Sequence, residues 1–179
     1  MDTNETSNQT TVEPSCFLTT ATVDVLGMSD DCEPLTLARH LRDEKMVTDN
    51  ERAAVDLYYR VAPKVVAEST EDEWVEFWDE HLREITLLAR AGECELAKDL
   101  YTLATAKLVD RKATEFSDRE MVEEVYRFGM DKLFGVDFTK GLPYSVRFAL
   151  LKLGMKSWVS AEQLRLRIRK RRVANVVEL

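Results

Sequence analysis

Glycine and proline are scarce in this chain, six and four among 179 residues. A protein built only of strands needs both at its many tight turns, so that class is disfavoured and helices are favoured. Cysteine is scarce as well, and three thiols in a chain of this length do not make a disulfide framework. No apolar run approaches the roughly 20 residues a membrane span requires, so no transmembrane segment is expected. The opening MDTNETSNQTTVEPS has neither a basic region nor an apolar one, so it does not read as a secretory signal. The glycosylation sequons at Asn4 and Asn8 then carry little weight, and a reducing, cytoplasmic setting is expected.

What is present is a globular composition, 45% hydrophobic and 32% charged, with enough residues to bury the core of one domain. The net charge of −8 is unevenly spread. Arg165, Arg167, Arg169, Lys170, Arg171 and Arg172 give the last twenty residues a net +4, leaving −12 on the rest. An acidic body is unsuited to general nucleic-acid binding, whereas the basic segment at 165–172 suits a nucleic acid, an anionic membrane or an acidic protein.

The pattern along the chain predicts an all-α fold, one compact domain of six or seven helices with antiparallel hairpins. Residues 1–15 are expected to be disordered, 16–159 to form the helical domain, and 160–179 to be a basic helix or tail. Residues 16–23, CFLTTATV, fit either a helix or an extended chain. After Gly27, caps at Ser29 to Asp31 and Pro34 in the first turn predict a helix from Glu33 to about Met46. Thr48 or Asp49 caps the next helix, which Pro63 is expected to end or kink. Thr70 caps a helix from Glu71 to Ala91, Gly92 stops it, and a partner from Glu93 to about Asp110 closes an antiparallel hairpin. Ser117 and Glu120 form a capping box for a helix through Phe134. Then come a loop, a helix from Tyr144 to Met155, and a segment from Ser160 to about Val173. Leu164 to Arg169 alternates with period two, but a lone strand would have no partner, so helix is preferred.

Chemistry-bearing residues concentrate between Cys16 and Met46. Cys16, His40 and Asp43 are the candidates for a thiol nucleophile, its base and an orienting acid. The opposing reading is a buried thiol that packs as a small hydrophobe, so no catalytic residue is assigned. Cys16, Cys32, His40 and a distant His81 or Cys94 have the right atoms for zinc, but no Cys-x-x-Cys or paired-histidine knuckle, so no metal or other cofactor is assigned. A Cys16–Cys32 disulfide runs against a reducing compartment. Asp30 and Asp31 with Arg39, Arg42 and Asp43 suit a buried ion network or, through the two arginines, a phosphate or carboxylate partner. Trp74, Phe77 and Trp78 have the spacing of a buried stripe.

CFLTTA, then Asp30-Asp31-Cys32, then Arg39-His40-Leu41-Arg42-Asp43 resembles the CFI-box group of largely uncharacterised bacterial proteins. That group is named for Cys-Phe-Ile, followed by Thr and Ala and a helix ending in a sequence like Arg-Phe-Arg-Asp. Leu18 stands here for the Ile and Leu41 for the Phe, and the match covers about residues 16–46. The resemblance implies a bacterial or phage origin and singles out Cys16, Thr19, Thr20, Ala21, Arg39, Arg42 and Asp43. It supplies no reaction. The expected function is a small helical interaction or regulatory protein without turnover, having a protein partner. Its binding residues are expected among Cys16, Thr19, Thr20, Cys32, Arg39, Arg42, Arg165, Arg167, Arg169 and Arg171. The alternatives are a cysteine-dependent enzyme or thiol switch using Cys16, and nucleic-acid or membrane binding through the basic segment.

Overall fold

The computed structural model describes residues 16–112, 119–136 and 138–177, with side chains as far as Arg171. The disorder expected for 1–15, and the capping box at Ser117, fall outside the described residues. The helices are α1 (Phe17–Val25), α2 (Glu33–His40), α3 (Asp49–Ala67), α4 (Glu71–Phe77), α5 (Arg83–Arg90), α6 (Cys94–Lys112), α7 (Arg119–Phe134) and α8 (Tyr144–Val177). A π-helical turn, Leu41–Lys45, extends α2, and a second, Trp78–Leu82, joins α4 to α5 into one rod. The described residues thus form seven helical rods without a strand, an all-α domain as the composition implies.

The ambiguous segment at 16–23 is helix. Its N-cap, Cys16, provides no side-chain cap, so the orphan N–H of Leu18 is taken instead by the Tyr58 hydroxyl at 3.0 Å. Gly27 and Gly92 end α1 and α5 with positive φ of 66° and 82°. In each case the next residue donates back across the last turn, Met28 N to Val23 O and Glu93 N to Leu88 O, which only a left-handed residue in between permits. Thr48 and Thr70 open α3 and α4 through reciprocal capping boxes with Glu51 and Glu73.

One expectation needs correction and two are sharpened. Pro63 does not end α3, which continues to Ala67. It lies on the exposed face of the helix, where water can replace the backbone bond that its missing N–H forgoes. The helix expected from Glu33 to about Met46 forms over that span, its last turn, from Leu41, being a π turn closed by Met46 N on Leu41 O at 3.0 Å. The segments Tyr144 to Met155 and Ser160 to Val173 are a single helix, so the boundary drawn at 159 falls in mid-helix. Leu151, Met155, Trp158 and Leu166 form its buried stripe, whereas Leu164 and Ile168 are exposed. The period-two alternation at 164–169 is therefore not a buried face.

The second π turn explains an odd spacing. Phe77 and Leu82 are both 1% exposed, yet five residues apart they would point in different directions from a regular α-helix. The wider turn between them brings Trp74, Phe77, Leu82 and Ile85 into one core. α6 runs through the middle, packed on α3, α5, α8 and both π turns. It is buried nearly all round, with Ala97, Ala104 and Ala106 admitting its neighbours closely. α7 and α8 form a hairpin laid against this body.

Candidate functional site

The two ends of the 16–46 stretch meet. Arg42, carried by the π turn, donates Nη1 to the Cys16 Sγ at 3.5 Å and to the Tyr59 hydroxyl at 2.7 Å. Its Nε and Nη2 grip the adjacent Asp43 carboxylate at 2.5 and 2.6 Å, a bidentate pair that holds Asp43 below the usual carboxylate range. Cys16 is 4% exposed and sits with Val23, Leu35 and Ala38, with Met28 and Cys32 at the edge. Burial pushes its thiol pKa up, outweighing the nearby Arg42 and Arg39 cations, so the thiolate is disfavoured.

The other candidates in this stretch lie elsewhere. His40 faces Glu44, its Nδ1 at 3.3 Å, and Asp43 is committed to Arg42. Asp30 and Asp31 are exposed; Asp31 accepts from Ser29, and Arg39 reaches the Asp30 backbone carbonyl at 3.1 Å rather than a carboxylate. The ion network expected there reduces to Arg42 with Asp43. Cys16, Cys32 and Cys94 are all free thiols. His81 adjoins Lys107 at 3.4 Å, and burial lowers its pKa. Among the described residues no three Cys, His, Asp or Glu side chains gather to hold a metal ion.

Beneath the Cys16 pair runs a chain of hydroxyls. Tyr58 takes the Leu18 N–H and is hydrogen-bonded to Tyr101, whose hydroxyl lies 3.0 Å from Thr19 Oγ1. Burial raises both tyrosines, Tyr101 to about 12, so both remain neutral donors at any physiological pH. Thr20 Oγ1 is buried without a partner. The threonines thus separate by role, Thr19 tied to α6 and Thr20 left unpaired. Tyr58, Tyr59 and Tyr101 were not singled out from the sequence; the adjacent pair at 58–59, with one ring on each side of an apolar stripe, is the only local sign of them.

Two lysines of α6 lock helix junctions in the same way. Lys98 Nζ binds Glu51 at 2.6 Å, Glu95 at 2.9 Å and the Lys45 carbonyl at 2.9 Å. Lys112 Nζ binds Glu73 at 2.8 Å and the Glu68 carbonyl at 2.6 Å. Each therefore joins a capping-box glutamate to a carbonyl at the end of the preceding helix. The basic segment is docked similarly. Arg165 and Arg169 share Asp99 at 2.7 and 2.9 Å, Arg165 also takes Glu162, and Lys170 takes Glu84 at 2.6 Å. Arg167 and Arg171 are exposed.

Two further features are open to a partner. A mainly apolar cavity of about 100 Å³ lies among the helices, lined by Leu18, Leu41, Tyr58, Tyr101, Phe128 and Met155 among others. The cavity is partly open to solvent, so a ligand can reach its apolar lining. At the far end of the hairpin, Phe134, Val136, Phe138, Leu142, Tyr144 and Val146 are 40–61% exposed within thirteen residues of chain. Phe134 and Phe138 meet edge to face, centroids 5.4 Å apart. Among the described residues no helix is long and apolar enough to cross a membrane. The chain matches no protein-family model, no curated protein and no solved structure.

Proposed function

We propose that this is a helical interaction protein without catalytic turnover, and that it engages a protein partner through the tip of the α7–α8 hairpin. The observation that carries this reading is the run of six large apolar side chains left bare between Phe134 and Val146. A soluble domain rarely leaves such a run exposed unless something covers it. Rigid aromatic rings lose little conformational freedom on binding, which suits them as anchors. The Cys16 site supports the non-catalytic side of the reading. Its thiol is desolvated, the nearest charged group is an arginine that cannot act as a base, and His40 is turned to Glu44. The basic segment supports it too, because Arg165, Arg169 and Lys170 are spent on the acidic body.

A photo-crosslinking residue at position 138, compared with one at the exposed Leu87, tests the reading in living cells. A discrete protein adduct at 138, absent at 87 and lost with Val136→Asp, is the expected result. Overturning it would take adducts of equal yield at both positions, or an adduct-free tip that instead binds anionic phosphatidylglycerol vesicles.

A further inference from the structure

The apolar cavity has a polar antechamber. A second cavity of about 350 Å³ shares Met46, Ala54, Lys98 and Thr102 with it, and adds Glu51, Asp99, Lys132, Trp158, Glu162 and Arg165. The lining along α6 runs from Lys98 to Val109, about 16 Å of helix axis, so a small volume is drawn out lengthwise. The space is long and mainly apolar, and lined by charged side chains at one end.

The charges of the antechamber are not equally available. Glu51 is held by Lys98, and Asp99 and Glu162 are held by Arg165. Lys132 is left as the exposed cation with no carboxylate partner among the described residues; its contact is with the Phe128 ring, 5.2 Å from the centroid. Phe128 also lines the apolar cavity, so the ammonium stands where that cavity approaches the antechamber.

We propose that these joined cavities bind a single-chain carboxylate amphiphile, its alkyl chain among Leu41, Tyr58, Tyr101 and Val109 and its carboxylate on Lys132. A chain of methylenes matches the apolar lining, and burying it there removes apolar surface from water. Lys132 is the antechamber cation that no carboxylate among the described residues takes, so it can pair with a single negative head group. This inference is independent of the partner assigned to the hairpin tip, since none of residues 134–146 lines either cavity.

Calorimetric titration of the intact protein with decanoate and with decanol, both below their micelle or solubility limits, tests it. Saturable one-to-one binding of decanoate, about tenfold tighter than decanol, is expected. Lys132→Ala should bring decanoate down to the level of decanol and leave decanol unchanged. Because a cavity-filling variant such as Ala106→Phe risks unfolding, a diazirine-bearing decanoate supplies the second measurement. Its adducts should map to Tyr101, Val109 or Phe128. Failure of decanoate to bind, indifference to Lys132→Ala, or adducts confined to 134–146 would each overturn the assignment.

Discussion

Long charged side chains close the helix ends around α6, whereas α7 and α8 close on one another through two glycines. In the body, Lys98 and Lys112 reach out from α6 to a glutamate and a carbonyl at each junction, and a tyrosine hydroxyl caps α1. In the hairpin, a Cβ on Gly129 would stand 2.5 Å from the Met155 Cα, and one on Gly154 would stand 2.7 Å from the Met130 methyl. Directional bonds therefore fix the junctions of the body. The crossing of the hairpin is fixed by close contact together with the ion pair from Arg147 to Glu123 at 2.6 Å, while its tip is left bare. Directional bonds hold positions without filling space, and the apolar cavity lies where the body meets Phe128 of α7 and Met155 of α8.

The sharpest way to break this contrast lies at the crossing. Gly129→Ala drives a methyl into backbone that cannot yield, and should cost about 3 kcal/mol; Gly154→Ala meets the flexible end of Met130 and should cost about 1 kcal/mol. Urea unfolding midpoints would measure both, and equal costs would mean that the crossing is not the tight one. In the body, Lys98→Met strips Glu51 of its cation and should cost roughly 2 kcal/mol at neutral pH.

That same pair has a pH signature. Burial opposes ionisation of Glu51, but hydrogen bonds from Lys98 and Thr48 prevail and bring its pKa to about 2, below its unfolded value near 4.3. A depressed carboxylate contributes stability that is complete above the unfolded pKa and lost as pH falls through the folded one. The contribution should therefore fade between about pH 4.5 and pH 2, and Lys98→Met should flatten that limb of the stability profile. An effect as small as that of Gly154→Ala is expected from Tyr58→Phe, which unpairs the Leu18 N–H, costs about 1 kcal/mol and speeds hydrogen exchange in the first turn of α1. Unchanged exchange there would show that the hydroxyl is not its cap.

Local signals were legible wherever a few neighbouring residues decide the matter. The caps at Thr48 and Thr70 and the stop at Gly92 read directly, because a cap is made within one turn of chain, while Glu51 and Glu73 as their reciprocal partners came only with the structure. Pro63 reads as a local stop, but whether it ends α3 depends on which face of the helix meets water, a property of the packed domain. The helix preferred over 164–169 is what forms, whereas its buried face was not legible in the alternation, since only Leu166 of its apolar residues is buried. Within the 16–46 stretch, Cys16 and Arg42 were marked by residue type, but nothing local ties them to Tyr59; the turn of His40 to Glu44, four residues on, is by contrast a pairing that helical spacing offers.

By itself the sequence determined an all-α chain, the starts and stops of most of its helices, and the imbalance between an acidic body and a basic end. Those follow from capping, periodicity and composition, each of which acts over a few residues. Only the tertiary structure decided that the basic end is spent on Asp99 and Glu84, that α6 carries the junction locks, and that a void opens beside the tyrosines. It also decided that Phe134 to Val146 stays uncovered. The physical reason is one of range: a cap needs its neighbours, whereas charge pairing, voids and bare surface depend on which distant helices arrive.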